Sequence, residues 1–493
     1  MQHRLCDVVA LIAVVALAGC SGGDDREVSL EREGGEVPTT ASPQPADQEA
    51  TDPPPSTAPA ATSGVTVADA QPETPSCPPI PPARSPDPDR PSYVMDVDVR
   101  PEKGVVEGST TVHFTPDLPT DRLVFRLWPN GPRPSAAGAR LEAGPVSMGS
   151  GGPVPSEQPD PTTLVVPLGR ELAAGERVDA TVPWTLTLPG AANDRIASQG
   201  GAIRLGSFFP ILAWEPGVGW AMEPATAIFA EASTAPVADF SYSVGVPDGY
   251  QVLASGVLEA GRWTAPAHRD VGISVGRFRI AEGQAGAPHP VHVVVGVQEG
   301  VEGDPAAYLD RVVRSLTDFG TRFGPYPYRS FSLAVTPGLS GGIEYPGHVL
   351  QGPGTIGRTT PHEVGHQWFY ALVGNNQGRD PWLDEGLASW AEGRFEGTLG
   401  EFASKDIPAY ARGSAGQPMS WWEGRQSGYY RGVYIQGALA LAALGPPGLV
   451  DCGLRLYVAE QAFGVARPAD LLLAMRQVFP DAEATLARFG AFP

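Results

Sequence analysis

Apolar and polar residues alternate with a period of two through the first folded half of the chain. Runs such as YVMDVDV from Tyr93, RLVFRLWP from Arg122 and FSYSVGVP from Phe240 are short and are bounded by Gly, Pro and Asp. This pattern is typical of antiparallel strands with one solvated face. We therefore predict an all-β domain over residues 91–283, and nothing in it suggests a catalytic site of its own.

The period changes after Gln284. PVHVVVGV predicts one strand, and Asp304 with Pro305 marks the start of a helix that we expect to end at Gly320 and Gly324. Further helical patterns follow towards the C-terminus, in VYIQGALALAALG, LVDCGLRLYVAEQAFG and ADLLLAMRQVF. Residues 284–493 are therefore predicted to form a second domain, and the fold class of the whole chain is α+β and multidomain.

The N-terminus has the pattern of an export signal. Arg4 precedes an apolar run from Leu5 to Leu17, and the run ends in Leu17-Ala18-Gly19-Cys20. The run is too short for a transmembrane helix. We predict a lipoprotein signal peptide over residues 1–19, with a lipidated Cys20 that anchors the protein on the outer face of the cell membrane. An ordinary secretory signal without lipid is the alternative.

Residues 20–90 are rich in Pro, Thr, Ala, Ser and acidic side chains. Such a composition buries too little apolar surface to fold, so we predict a disordered, semi-rigid tether. The formal net charge of −21 for 493 residues argues against a nucleic-acid partner.

Four cysteines are present. Cys6 would leave with the signal peptide and Cys20 would carry lipid. The remaining two, Cys77 and Cys452, can form a disulfide outside the cytoplasm or stay as free thiols.

The strongest chemical signal is HEVGHQWF from His362. His362 and His366 are four residues apart, so on a helix both imidazoles project from one face and can bind one Zn²⁺, with Glu363 beside the open position. Eighteen residues separate His366 from Glu385, which lies in a second helical pattern and can supply the third ligand. The alternative is an amphipathic helix with two structural histidines.

A Gly/Pro-rich segment, GGIEYPG from Gly341, precedes this helix. By itself it is typical of a connection between strands. Beside a zinc site, Gly341 and Gly342 would permit close approach of a substrate backbone, and Glu344 could bind a free α-amino group.

Together these motifs resemble the M1 family of zinc aminopeptidases, whose Gly-Ala-Met-Glu-Asn motif would correspond to residues 341–345. The resemblance implies a β-sandwich or saddle domain followed by a thermolysin-like catalytic domain. It also implies one Zn²⁺ held by His362, His366 and Glu385, with Glu363 as general base and Glu344 as the anchor for the substrate amine.

The family also uses a tyrosine in a Tyr-x-x-Gly-Ala context, which Tyr434 matches, although Tyr429 and Tyr430 lie close by. Two features depart from the family. Tyr345 replaces the motif's Asn, and the chain reaches Pro493 without the helical C-terminal domain of many relatives.

The expected function is therefore removal of N-terminal residues from peptides. A zinc endopeptidase on the same scaffold and a catalytically inactive binding lipoprotein are the two alternatives.

Overall fold

The structure is a computed structural model that describes residues 76–229, 234–286 and 289–492. The predicted signal peptide, Cys20 and most of the predicted tether lie outside these residues.

The first half of the described chain consists of strands with one short α-helix and two 3-10 turns, Pro101–Lys103 and Trp128–Asn130. The strands form a nine-stranded sheet, two four-stranded sheets and a hairpin around a shared apolar core. The bounds are β1 Ser92–Arg100, β2 Val105–Phe114, β3 Thr120–Arg126, α1 Pro132–Ala136, β4 Arg140–Ala143, β5 Val146–Met148, β6 Pro153–Val154, β7 Glu157–Asp160, β8 Thr163–Leu172, β9 Val178–Thr187, β10 Ile196–Gln199, β11 Ala202–Gly206, β12 Ile211–Leu212, β13 Trp214–Glu215, β14 Gly219–Trp220, β15 Ala238–Gly245, β16 Gln251–Ala254, β17 Val257–Glu259, β18 Arg262–His268 and β19 Gly272–Gly276.

The alternation in the sequence matches the burial of these strands. In β1, Tyr93, Met95, Val97 and Val99 are buried, whereas the residues between them are more exposed. The largest sheet has the order β17-β18-β15-β1-β2-β9-β5-β6, with β4 also paired to β9. The prediction of purely antiparallel strands was wrong at one place, because β1 pairs with β15 in parallel. The strands paired there are more than a hundred residues apart, so no local pattern reports their direction.

The second half combines one mixed sheet with helices. Its five-stranded sheet has the order β20-β21-β22-β24-β23, which leaves β23 at an edge. The bounds are β20 Phe278–Gly286, β21 Pro290–Gln298, α2 Pro305–Phe323, β22 Ser330–Val335, β23 Gly342–Tyr345, β24 His348–Gln351, α3 Thr359–Gly365, β25 Gly374–Asn375, α4 Trp382–Glu396, α5 Leu399–Ala403, α6 Met419–Trp422, α7 Gln426–Tyr429, a π-helix Tyr430–Ile435, α8 Gln436–Ala442, α9 Pro447–Gln461, β26 Val465–Ala466, α10 Pro468–Arg476 and α11 Ala482–Ala487. The α+β fold class is therefore confirmed.

Helix α2 begins as the sequence predicts. The carboxylate of Asp304 accepts a hydrogen bond from the backbone N–H of Ala306 at 3.0 Å, and Pro305 occupies the first helical position. The helix runs through Gly320, where the sequence suggested an end, and stops before Gly324. Burial of its apolar stripe against the sheet outweighs the low helix propensity of one glycine.

The helical segments predicted near the C-terminus are present and contribute to one large apolar core. Among the described residues, no single helix is long and apolar enough to cross a membrane. One pair, 419–442 and 447–461, passes the same test only when joined across a bend of 111°.

Cys77 and Cys452 form a disulfide, with their Cα atoms 5.9 Å apart, so pairing is confirmed over free thiols. The predicted disordered tether extends too far, because residues 76–90 lie against the folded part. Ile80 packs on the large core, and the backbone N–H of Arg84 donates to the carbonyl of Ala459 at 3.0 Å. The covalent link to α9 compensates for the low apolar content of this segment.

Candidate metal centre

Three side-chain atoms converge in the second half of the chain. Nε2 of His362 lies 3.2 Å from Nε2 of His366, and these two nitrogens lie 3.3 and 3.5 Å from Oε2 of Glu385. All three residues are buried. In a tetrahedral zinc site with bonds of about 2.0–2.1 Å, two ligand atoms lie about 3.3–3.4 Å apart. The spacing of these donors therefore fits Zn²⁺, and the predicted ligand set comes together as expected.

The two elements that carry these ligands are α3 and α4. His362 lies within α3, and His366 immediately follows its last residue, Gly365. The α-helix ends at Gly365, and beyond it the N–H groups of Gln367 and Trp368 bond to carbonyls three residues back. This tighter hydrogen bonding ends α3, and the chain then leads into α4. Glu385 lies in the first helical turn of α4.

Charges around the centre favour a cation. Burial alone would lower the pKa of His362, but hydrogen bonds to Glu385 and Glu392 outweigh it and raise the pKa to about 9. Burial would raise the pKa of Glu385, whereas the hydrogen bonds to both histidines lower it to about 2. The surrounding carboxylates thus stabilise positive charge at this point, which a divalent metal would supply.

Each histidine has a second partner on its other ring nitrogen. Nδ1 of His366 lies 2.7 Å from Oδ1 of Asp384, and Nδ1 of His362 lies 3.3 Å from Oε2 of Glu392. Asp384 also accepts a hydrogen bond from Gln377. Such partners orient a metal-binding imidazole and select its tautomer. Sequence reasoning missed Glu392 as part of the site, although it follows Glu385 by two helical turns on α4.

Glu363 lies against the edge strand. A Cβ atom on Gly342 would lie 2.4 Å from the carboxyl carbon of Glu363, so only glycine leaves room for this carboxylate. No atom lies within 4 Å of the corresponding point on Gly341. Burial raises the pKa of Glu363 to about 7, a value suited to accepting a proton near neutral pH.

Glu344 is buried on β23, and its Oε1 lies 3.8 Å from Nδ1 of His366. The segment predicted as a connection is thus a short edge strand that places a carboxylate beside the metal ligands. Glu344, Glu363 and His366 bring three ligand atoms within 4.8 Å of one another.

The structure distinguishes Tyr434 from the two neighbouring tyrosines. The hydroxyl of Tyr434 donates to Oε1 of Glu385 at 2.6 Å, and its ring stacks on His362 with centroids 5.7 Å apart. Tyr429 and Tyr430 contact Tyr434 through their rings. Tyr434 lies in the π-helix, a conformation often found at functional sites.

No protein-family model matches this chain. Its structure is similar to the M1 zinc metallopeptidase of Deinococcus radiodurans, with a TM-score of 0.58 and 21% identity, over 82% of this chain and 93% of that one. A mutant two-domain M1 zinc metallopeptidase bound to L-arginine has a TM-score of 0.59 and 21% identity, over 82% and 94%. A mutant M1 zinc metallopeptidase from Deinococcus radiodurans bound to a Tyr-Ser-Ala substrate also has a TM-score of 0.59 and 21% identity, over 82% of this chain and 94% of that one. The chain has the fold of the M1 zinc metallopeptidases. The likeness to an M1 fold covers both halves of the described chain.

Proposed function

We propose that this protein is a zinc-dependent aminopeptidase of the M1 kind, which removes N-terminal residues from peptides. The observation that carries the proposal is the buried triangle of His362, His366 and Glu385, with Glu344 and Glu363 next to it. Structures of similar fold are bound to an amino acid and to a tripeptide substrate, which supports peptides as the substrate class.

The three ligands would hold one Zn²⁺, which when bound supplies Lewis-acid activation of water and of the scissile carbonyl. Glu363 would accept the proton of the attacking water and pass it to the leaving amine. Tyr434 would turn its hydroxyl from Glu385 to the developing oxyanion, an interaction worth about 2.7–4 kcal/mol in comparable sites. Glu344 would bind the substrate's ammonium group and so align the first peptide bond with Glu363.

Elemental analysis of bound zinc, together with hydrolysis of aminoacyl reporter amides, tests this proposal. We expect about one zinc per chain and cleavage of free-amine substrates, with loss of cleavage for their N-acetylated twins. Equal cleavage of both twins would instead identify an endopeptidase. Zinc binding without hydrolysis of any peptide would identify a binding lipoprotein.

Replacing Glu363 by Gln should leave the zinc content unchanged, because Glu363 is not in the ligand triangle, and lower kcat by about 10²- to 10⁴-fold. Zinc content and kcat are measured on the same preparation. The exposed Glu299→Gln serves as the matched control and should change neither. Retained turnover in Glu363→Gln would contradict the assignment of the base.

We further propose an arrangement of a β-sandwich or saddle domain over residues 91–283 and a thermolysin-like catalytic domain over residues 284–493.

We also propose that lipid on Cys20 anchors the enzyme to the outer face of the cell membrane. The Leu17–Cys20 pattern supports this location, as does the disulfide, which is typical of proteins outside the cytoplasm. Cys20→Ser should release the protein from the membrane fraction, and mass spectrometry of the mature N-terminus tests the lipid directly.

A further inference from the structure

The loop that leads into β23 is held by a loop from the first half of the chain. We call residues 336–341 the entry loop and residues 192–194 the clamp loop. Asn193 of the clamp loop donates from Nδ2 to Oγ of Ser340 at 2.8 Å, and its Oδ1 accepts from the backbone N–H of Ser340 at 3.0 Å. One side chain therefore fixes both the backbone and the hydroxyl of Ser340.

Arg204 on β11 is buried, with 1% of its surface exposed, and its guanidinium donates hydrogen bonds to both of these loops. It donates to Oγ1 of Thr336 at 3.2 Å and to the carbonyl of Pro337 at 2.5 Å in the entry loop. It also donates to the carbonyl of Asp194, at 3.1 Å, and to that of Ala192 in the clamp loop. A buried guanidinium with these four acceptors makes the two loops one rigid unit.

The order of residues along β23 and the entry loop indicates which part of a substrate this unit would meet. Glu344 is the proposed amine anchor, Gly342 packs against Glu363, and Ser340 follows two residues further on. Successive residues of a strand are about 3.3 Å apart. A peptide anchored at Glu344 and running antiparallel to β23 would pass Glu363 with its first peptide bond and then reach Ser340 with its next residues. Among the described residues, β23 is the last strand at one end of its sheet, which is the position where an extended peptide can add as a further strand.

We infer that Asn193 and Arg204 are positioning residues that hold the entry loop as a preformed edge for the second and later residues of a peptide. This role rests on the proposed aminopeptidase function. We expect the enzyme to prefer peptides of three or more residues over single aminoacyl amides. Neither residue contacts the metal ligands in the structure, so both act through Ser340 and the entry loop.

The test compares kcat and KM for an aminoacyl reporter amide and for a tripeptide with the same first residue. In Asn193→Leu, we expect kcat/KM for the tripeptide to fall about fivefold to tenfold, mainly through KM, because the entry loop loses two hydrogen bonds. The reporter amide ends before Ser340, so its kcat/KM should change less than about twofold.

Asn193→Asp is the conservative variant. Its carboxylate can accept from both the N–H and the hydroxyl of Ser340, so it should restore tripeptide cleavage. Ser243→Ala is the matched control, since it removes a side-chain hydrogen bond to Asp96 in the large sheet, far along the chain from the entry loop. It should leave both substrates unchanged.

Equal loss on both substrates in Asn193→Leu, or no loss on either, would overturn the inference, because a merely structural role predicts no dependence on substrate length. Thermal unfolding of each variant confirms that folded protein is compared. If the wild-type protein cleaves neither substrate, the proposed function fails and the inference fails with it. If the wild type cleaves both and only the length dependence is missing, the inference alone fails.

Discussion

At the scale of single residues, the candidate site depends on the lack of a side chain at Gly342. Gly342 has no special backbone angle, yet a side chain there would occupy the space of the Glu363 carboxylate. The glycine predicted to make room for substrate thus makes room first for Glu363, the proposed general base. Its neighbour Gly341 has no such constraint in the structure.

Gly342→Ala should therefore displace Glu363 and lower kcat by about 10²-fold, since a shift of about 1 Å in a catalytic group has effects of that size. Bound zinc should stay at the wild-type level, because the three atoms nearest to the added Cβ all belong to Glu363, which is not in the candidate ligand triangle. Steady-state kinetics and elemental analysis measure both. The control is Gly400→Ala on α5, where a Cβ meets no atom within 4 Å and wild-type kinetics are expected.

At the scale of secondary-structure elements, two helices must approach closely for Tyr434 to reach Glu385. Gly386 on α4 faces Gly437 on α8, and a Cβ on Gly437 would lie 2.7 Å from Cα of Gly386. Glu385 and Tyr434 lie beside this crossing, one on each side. The glycine in the Tyr-x-x-Gly-Ala context therefore sets the distance between helices.

Gly437→Ala should push α8 and the π-helix away from α4. We expect a loss of about 1–3 kcal/mol in the free energy of unfolding and a lower kcat, because the hydroxyl of Tyr434 moves from the site. Denaturant unfolding and kinetics check the two effects. Gly448→Ala, on α9 with no atom within 4 Å of the added Cβ, should show neither effect. Normal kinetics in Gly437→Ala would refute this role of the crossing.

Strand β24 carries a buried histidine between two sheets. Nε2 of His348 lies 2.9 Å from Oγ of Ser274 on β19, and Nδ1 lies 2.7 Å from Oγ of Ser332 on β22. Burial lowers the pKa of His348 to about 3. Because the unfolded chain binds this proton near pH 6.5, the contribution of His348 to stability is complete above that pH and is lost as the pH falls towards 3.

We therefore expect the free energy of unfolding to decrease as the pH falls from 6.5 to 5, with a slope from this residue that rises towards about 1.4 kcal/mol per pH unit. In His348→Gln, which does not titrate, the slope should be smaller by that amount. Denaturant unfolding at several pH values measures the difference. The exposed His292→Gln is the control and should keep the wild-type slope. Parallel curves for His348→Gln and wild type would show that His348 is not the group responsible.

At the scale of the whole molecule, one covalent bond joins the start of the described chain to its last third. Cys452 lies on α9 next to Asp451, which accepts hydrogen bonds from Trp390 and Arg394 of α4 and from Arg322 of α2. The disulfide thus fixes the N-terminal segment to a helix that supports the element carrying Glu385. A bond across 375 residues of sequence also restricts the unfolded chain.

Replacing both Cys77 and Cys452 by Ser should lower the free energy of unfolding by about 2–5 kcal/mol. Zinc content should be unchanged, because neither Cys77 nor Cys452 belongs to the candidate ligand triangle of His362, His366 and Glu385. A reducing agent should destabilise the wild type to the same extent and leave the double variant unaffected. Thermal unfolding with and without the agent compares the four conditions.

The sequence by itself indicated the candidate metal ligands, the candidate base, the α+β class and the start of α2, because each gives a local signal in motif spacing, apolar periodicity or helix capping. Two histidines one helical turn apart must share a face wherever that helix lies. Only the tertiary structure decided that Tyr434 rather than Tyr429 or Tyr430 reaches Glu385. It also decided that Glu392 joins the site, that β1 pairs with β15 in parallel and that Asn193 holds Ser340. These contacts join residues far apart in sequence or depend on which way a side chain turns, and packing settles both only when the whole chain is folded.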